Sequence, residues 1–302
     1  MNSYHLKVAL FAVLLISTLS CKNEKKTEAT HKVNPTHTAL KEALSFYASY
    51  DNGVDADFAL GDKHLYTVPK REARDSAQVG LHKPDITRKD GKGKYGAGLV
   101  FTERSKGYIY YPSKNNISYS QENWSGAISF WLSLDPAVDL EPGYCDPIQI
   151  TDVGYNDAAF WVDFTKENPR DFRLGVIGDR EVWNPNPVGP DNENPLFNAL
   201  LPAVKNPPFG TGKWTHILIN FSDLNTKNGG AALYMNGELR GSRSDIATPF
   251  TWELDKSNIY LGLSYIGLMD ELSIYKRALT DEEITTLYGL ENGVHTVLAS
   301  KE

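Results

Sequence analysis

The stretch Ala231-Ala232-Leu233-Tyr234-Met235-Asn236-Gly237-Glu238-Leu239-Arg240-Gly241-Ser242 decides the fold class. Asn-Gly stands between two runs of strand-forming residues. A type I′ turn needs positive φ at both central positions, and Asn and Gly take it at least cost. The stretch therefore reads as a tight antiparallel hairpin of strands 231–235 and 238–242. The same pattern continues on both sides of it. In 126–134, Gly-Ala-Ile-Ser-Phe-Trp-Leu-Ser-Leu, Ile128, Phe130 and Leu132 fall on one face. Further short runs between turn signals lie at 44–50, 98–101, 107–111, 147–151, 158–164, 172–177, 214–221, 258–262 and 268–275. Period-two patterning with regular turns predicts an all-β, antiparallel sandwich. One short C-terminal helix stands apart. Thr280-Asp281-Glu282-Glu283 is a capping box, and Ile284, Leu287 and Tyr288 form the apolar side behind it.

The bulk numbers agree with one such domain. The chain has 302 residues, 41% of them hydrophobic and 23% charged, which supplies a packed core and argues against disorder. The net charge of −7 and the lack of a basic stripe speak against nucleic-acid binding. The two cysteines, Cys21 and Cys145, lie too far apart in context to suggest a disulfide framework. Cys145 reads as a half-buried bystander thiol.

The first residues read as an address. Lys7 precedes an apolar run over 8–16, shorter than the roughly 20 residues that span a bilayer. That is the length of a signal-peptide core. Ser17-Thr18-Leu19-Ser20-Cys21 resembles the lipobox of bacterial lipoproteins, with Thr18 where leucine is usual. The resemblance implies a signal peptide over 1–20, a lipidated Cys21 and a polar tether over 21–39. The expected location is the bacterial cell envelope, on the outer membrane through a lipid anchor only.

Four motifs carry a wider resemblance: Gly126-Ala127-Ile128-Ser129-Phe130-Trp131; Trp214-Thr215-His216-Ile217; the hairpin Leu233 to Leu239; and Ile266-Gly267-Leu268-Met269-Asp270-Glu271-Leu272 running on to Arg277-Ala278-Leu279-Thr280. In this order and spacing they resemble the laminin-G-like branch of the concanavalin A-like lectin/glucanase superfamily. The resemblance covers about 40–290 and leaves 291–302 as a tail. It implies a jelly roll of two packed sheets, one concave. Lectins, binding modules and glycosidases share that scaffold, so function has to come from the site.

Three regions offer candidate sites. Asp51-Asn52-Gly53-Val54-Asp55-Ala56-Asp57 clusters carboxylates on a loop, as Ca²⁺ favours. The resemblance implies a structural calcium held by Asp51 and Asp270, helped by Asp57; the alternative is a solvated turn capped by Asx side chains. The loop 63–94 is rich in Lys and Arg, Arg71 and Arg74 included, and reads as a balanced surface loop more than a site for acidic polymers. The insertion 179–212 is long and stiffened by proline. Its Trp183, with Arg180 and Asn184, has the chemistry of a sugar subsite, and Trp161 and Tyr155 are further candidates. Trp183 would equally serve to pin the loop onto the sheet. Trp131, Trp214 and His216 are expected in the core.

Catalysis is less well supported. The Glu-x-Asp-x-x-Glu strand of retaining glucanases is missing; Asp163 and Glu167 are four apart with no third acid. A lyase needs no compact motif, and Tyr155, His82 and Arg180 are its candidates. The sequence thus leads to an exported lipoprotein that binds polysaccharide or oligosaccharide, with envelope proteins as further partners. The alternatives are a glycoside hydrolase or lyase on the same fold, and a protein-binding adhesion or scaffold module.

Overall fold

The computed structural model describes residues 34–70 and 74–299. The expected signal peptide, Cys21 and the tether up to residue 33 lie outside the described residues, as do Arg71 and the side chain of Arg74. The strands are β1 (Leu44–Ala48), β2 (Phe58–Ala59), β3 (Tyr66–Val68), β4 (Gln78–Val79), β5 (Ile86–Lys89), β6 (Gly98–Phe101), β7 (Tyr108–Pro112), β8 (Trp124–Ser133) and β9 (Cys145–Thr151). They continue with β10 (Ala159–Phe164), β11 (Phe172–Ile177), β12 (Ala203–Val204), β13 (Trp214–Leu224), β14 (Gly230–Met235), β15 (Glu238–Arg243), β16 (Asn258–Leu263) and β17 (Gly267–Tyr275). The helices are α1 (Pro35–Ala43), α2 (Arg180–Trp183), α3 (Pro195–Ala199), α4 (Asp281–Tyr288) and α5 (His295–Ala299).

The strands form two antiparallel sheets packed face to face. The first runs β15-β14-β13-β8-β17-β1-β2, with β6 also on β17 and β5 on β6. The second runs β12-β11-β10-β9-β16-β7-β3-β4. Between the hairpins, strands distant in sequence pair, as β8 with β17, β1 with β17 and β9 with β16, and these crossovers close the jelly roll. The hairpin is as expected: Asn236 and Gly237 have φ of 53° and 78°, and Met235 pairs with Glu238.

Alternation fills the space between the sheets. Phe130, Leu132, Ile217, Ile219 and Leu233 of the first sheet join Ile148, Ile150, Phe160, Val162 and Leu174 of the second in one buried cluster. Trp124 is its aromatic hub, with the rings of Phe160, Phe221, Phe250 and Trp252 at 4.8–5.8 Å. Trp131 and His216 do not belong to this inner layer. They alternate onto the opposite face of the first sheet, where His216 is fully buried and the rings of Trp131, His216 and Tyr288 all meet one another. Trp214 is only half-buried. Trp131 and His216 are thus buried as expected, though beneath the helices and not between the sheets, and only the half-buried Trp214 departs from the expected core role.

Three helices cover that outer face. Leu40 of α1, Ile284 and Leu287 of α4 and Val297 of α5 pack with Tyr47 and Leu218. Helix α1 begins within the stretch assigned to the tether. Asn34 caps it by accepting from the Thr36 amide at 3.0 Å, and proline stands at its first position. The capping box of α4 is present, and Arg277 clasps Glu283 from the chain just before it. Among the described residues no helix is long and apolar enough to cross a membrane.

Candidate functional site

The outer face of the second sheet is treated differently. The insertion between β11 and β13 folds over one end of it and leaves the rest open. Outward residues on successive strands line up in register. Trp161 pairs with Gln149, Gln149 with Tyr260, Tyr260 with Tyr110, and Tyr110 with Tyr66. Such partners lie about 4.8 Å apart from strand to strand. The row therefore crosses the sheet as a band of aromatic rings with one amide near its covered end.

Trp161 lies flat because its neighbour on β11 is glycine. A Cβ on Gly175 would stand 2.1 Å from the Trp161 ring. The indole Nε1 donates to the Tyr155 carbonyl at 2.7 Å. Beside it, Asp163 and Arg173 pair across β10 and β11, with Nε to Oδ1 at 2.9 Å and Nη2 to Oδ2 at 2.5 Å. The guanidinium sits 4.9 Å from the Tyr144 ring centre and 5.7 Å from that of Trp161. Burial disfavours charge on Arg173, but the hydrogen bonds and the negative charge of Asp163 more than offset it, and its pKa is raised.

Above this floor lies a cavity of about 380 Å³, lined by Arg104, Tyr144, Asp146, Gln149, Tyr155 and Asn192 around Trp161, Asp163, Arg173 and Phe197. A smaller cavity of about 190 Å³ adjoins it and is lined by Tyr108, Val153, Gly154 and Tyr260. Gln149, Tyr155 and Leu263 line both, so the two make one groove. Its size and its mix of apolar walls with a few convergent polar groups suit a small ligand.

The insertion is built around Asp191, which is 2% exposed. Its carboxylate accepts from Asn156 Nδ2 at 2.5 Å, Arg180 Nε at 2.6 Å and Asn184 Nδ2 at 2.6 Å. Burial works against its charge, yet these donors hold its pKa below the usual value. Trp183 donates to the Asn156 carbonyl at 3.0 Å and packs on Phe197 at 5.3 Å, which in turn stacks over Trp161 at 6.2 Å. Of the five residues expected to bind ligand, Trp161 and Tyr155 line the cavity. Trp183, Arg180 and Asn184 lie outside its lining and brace the wall that closes it. Of the lyase candidates, only Tyr155 lines it; His82 turns its Nε2 to the Val79 carbonyl at 2.7 Å.

Sequence reading passed over Gln149, Asp146, Tyr144, Arg104 and Arg173, and placed Asn192 only within the insertion as a whole. Parity alone carried a signal for two of them: Gln149 stands between the inward Ile148 and Ile150, and Arg173 between the inward Phe172 and Leu174, so both must face outward.

The carboxylates expected to hold calcium are engaged elsewhere. Asp51 accepts from the Ala97 amide at 2.7 Å, Asp57 from Ser49 at 2.7 Å, and Asp270 from Tyr95 at 3.0 Å and Glu271 at 2.9 Å. Arg88 donates to the carbonyls of Tyr50 and Asp51, both at 2.5 Å. Asp51 and Asp270 thus clamp the glycine-rich loop 93–97 by its amides. Among the described residues no three His, Cys, Asp or Glu side chains come together as a metal-holding group. As arranged, these side chains do not make the oxygen cage that calcium takes. Burial pushes Asp270 up to about 8 and Glu271 to about 7. In the basic loop, Lys83 pairs with Asp85 and Arg88 with Asp90.

Known proteins place this architecture. The receptor-binding domain of a botulinum neurotoxin C/D mosaic serotype superposes with a TM-score of 0.52 at 14% identity, over 82% of this chain and 51% of that one. The ligand-binding domain of botulinum neurotoxin serotype D, solved with N-acetylneuraminic acid, gives 0.51 at 10% identity, over 84% and 52%. This chain thus spans about half the length of these toxin domains. Domain 4 of the arabinanase AbnA from Geobacillus stearothermophilus, solved with arabinotriose, gives 0.49 at 19% identity, over 80% and 97%. No match is found among curated proteins. A laminin-G-type family model, described as the concanavalin A-like lectin/glucanases superfamily, matches residues 104–285, more than half of the chain. With its two-sheet jelly roll, the chain belongs to the concanavalin A-like lectin/glucanases superfamily.

Proposed function

We propose that the groove on the outer face of the second sheet binds a neutral oligosaccharide segment of a polysaccharide, and that the protein is a carbohydrate-binding module of the bacterial cell envelope. The observation that carries this reading is the composition of the cavity. Half-exposed Tyr144 and Tyr155 supply apolar ring surface, while Gln149, Asp146, Asn192 and Arg104 supply donors and acceptors for hydroxyls. The charges in the lining balance, two arginines against two aspartates. The Arg173 guanidinium is spent on Asp163, and Arg104, which donates to the Pro142 carbonyl, faces a lining that also holds Asp146, so the groove carries no net charge to favour an anionic sugar. The toxin domain solved with N-acetylneuraminic acid shares the fold, which fits a carbohydrate in general and names no sugar.

Binding is favoured over hydrolysis for a physical reason. A glycosidase needs two carboxyl groups free to act across the bond. Asp146 and Asp163 both line the cavity, but both oxygens of Asp163 are held by Arg173. Anchorage through Cys21 is part of the proposal and rests on the lipobox-like start. The test is affinity electrophoresis of the protein through gels containing neutral and acidic polysaccharides, with the polymers sized afterwards. Retardation by a neutral polymer that stays intact is the expected result. Shortened polymer means an enzyme, and no retardation across the panel removes the glycan reading in favour of a protein partner.

A further inference from the structure

The two parts of the groove have separate floors and one shared side chain between them. The larger part is floored by Trp161, 2% exposed, with Arg173 and Asp163 beside it. The smaller part is floored by Tyr108 and Tyr260, 4% and 5% exposed, which meet edge-on at 5.1 Å. Gln149 pairs with Trp161 on one side and Tyr260 on the other, and it lines both parts. From Trp161 on β10 to Tyr108 on β7 the groove crosses β9 and β16, which makes three strand steps. Each step is about 4.8 Å, close to the advance of an extended glycan per sugar unit, so the groove matches about three units laid across the strands.

One residue of the smaller part has no side chain. Gly154 stands on the turn between β9 and β10 and lines that part alone. Its φ lies outside the left-handed region, so the backbone there accepts any ordinary residue. A Cβ would find its nearest neighbour, Asn156 Oδ1, at 3.5 Å, an ordinary contact. The turn is held by backbone groups of Gly154, whose amide donates to Thr151 Oγ1 at 3.1 Å and whose carbonyl accepts from the Asp157 amide at 3.1 Å. Any residue at 154 keeps those bonds. Gly175 is the opposite case, since the Trp161 ring fills the place of its side chain. Neither conformation nor packing calls for glycine at 154. What glycine leaves there is room in the smaller cavity.

Building on the proposed glycan function, we propose that the groove takes a run of about three sugar units across the strands, and that Gly154 is a specificity-determining residue which keeps the last place open. The run begins over Trp161 in the larger cavity, passes Gln149 and ends over Tyr260 and Tyr108. A side chain at 154 would leave the larger cavity as it is and shorten the ligand that fits.

The experiment titrates the full-length protein with gluco-, xylo-, manno- and arabino-oligosaccharides, from the disaccharide to the hexasaccharide. In a series that binds, affinity is expected to rise at least about 10-fold from the disaccharide to the tetrasaccharide and then to level off. Equal affinity along the series, a rise that continues to the hexasaccharide, or binding of the polymer alone overturns the length and leaves the groove reading standing. Failure of every series and of the parent polymers overturns both. Gly154→Leu is expected to bring the tetrasaccharide down to the affinity of the disaccharide, with disaccharide binding and melting temperature unchanged. Val153, 59% exposed, lines the same cavity, and Val153→Trp should give the same split. An equal loss for both ligands, or no loss for either, overturns the role given to Gly154.

Discussion

Arg173 and Asp163 face each other on adjacent strands, and Arg173 donates two hydrogen bonds to the Asp163 carboxylate, at 2.9 and 2.5 Å, in the floor of the groove. Their side chains are 9% and 5% exposed. Removing one partner strands the other charge in a dry place, which costs about 3–5 kcal/mol. Arg173→Met is therefore expected to lower stability by that amount in chemical denaturation. The double change Arg173→Met with Asp163→Leu should recover most of it. If the single variant unfolds at the native denaturant midpoint, the pair is not the buried ion pair described here.

Gly175 makes room for the Trp161 ring. Gly175→Ala puts a methyl group 2.1 Å from that ring, so the indole must move. A loss of about 1–3 kcal/mol is expected, in line with overpacking elsewhere. Because Phe197 rests on Trp161, glycan retardation should weaken too. An unshifted Trp fluorescence spectrum together with native stability would show that the ring has space to spare.

Trp183 lies outside the cavity lining and packs on Phe197, which is part of it. Trp183→Ala is expected to cost about 2 kcal/mol, less than a fully buried tryptophan. It should loosen the wall, seen as faster amide exchange over 180–200, and weaken glycan binding as a consequence. Full retention of both properties would take the insertion out of the site.

His216 is fully buried, with Nε2 at 2.8 Å from the Ser129 hydroxyl, and burial lowers its pKa to about 3. The unfolded chain protonates this histidine near 6.5, the folded one near 3, so acid favours the unfolded state. Its contribution is complete above pH 6.5 and is lost as pH falls towards 3, by about 2 kcal/mol at pH 5. Denaturation at pH 5 and pH 7, compared with His216→Gln, isolates this part. An equal pH dependence in the two proteins would show that His216 takes up no proton on unfolding.

Calcium is a separate question at the Asp51 and Asp270 corner. Arg88 already supplies a cation to the carbonyls of Tyr50 and Asp51, and the carboxylates are turned onto amides. Melting temperatures in chelator and in millimolar calcium are therefore expected to agree at pH 7.5. A clear rise with calcium would mean that the corner rearranges into a cation site, as the family resemblance implies.

The architecture was legible because its signals are local. Asn236-Gly237 allows one kind of turn, alternation in 126–134 and 214–221 assigns faces, and Thr280 with Glu283 starts a helix by hydrogen bonds four residues wide. Helix α1 was less visible: its first five residues continue a polar stretch, and its apolar contacts are with chain from the other end of the sequence. The groove was half legible. Trp161 and Tyr155 were marked by their chemistry, but Gln149, Asp146, Asn192 and Arg104 look like ordinary surface residues until three separate segments meet. The same limit explains Trp183, Arg180 and Asn184, whose sugar-like chemistry is turned inward onto Asp191 and Phe197.

By itself, then, the sequence determined the hairpin, the strand faces and the sandwich, since turn conformation and side-chain parity are set by residues a few positions apart. Only the tertiary structure decided which face stays open and which tryptophans serve as floor or brace. Those properties depend on the register between strands distant in sequence and on which surface the insertion buries, and no local pattern encodes either.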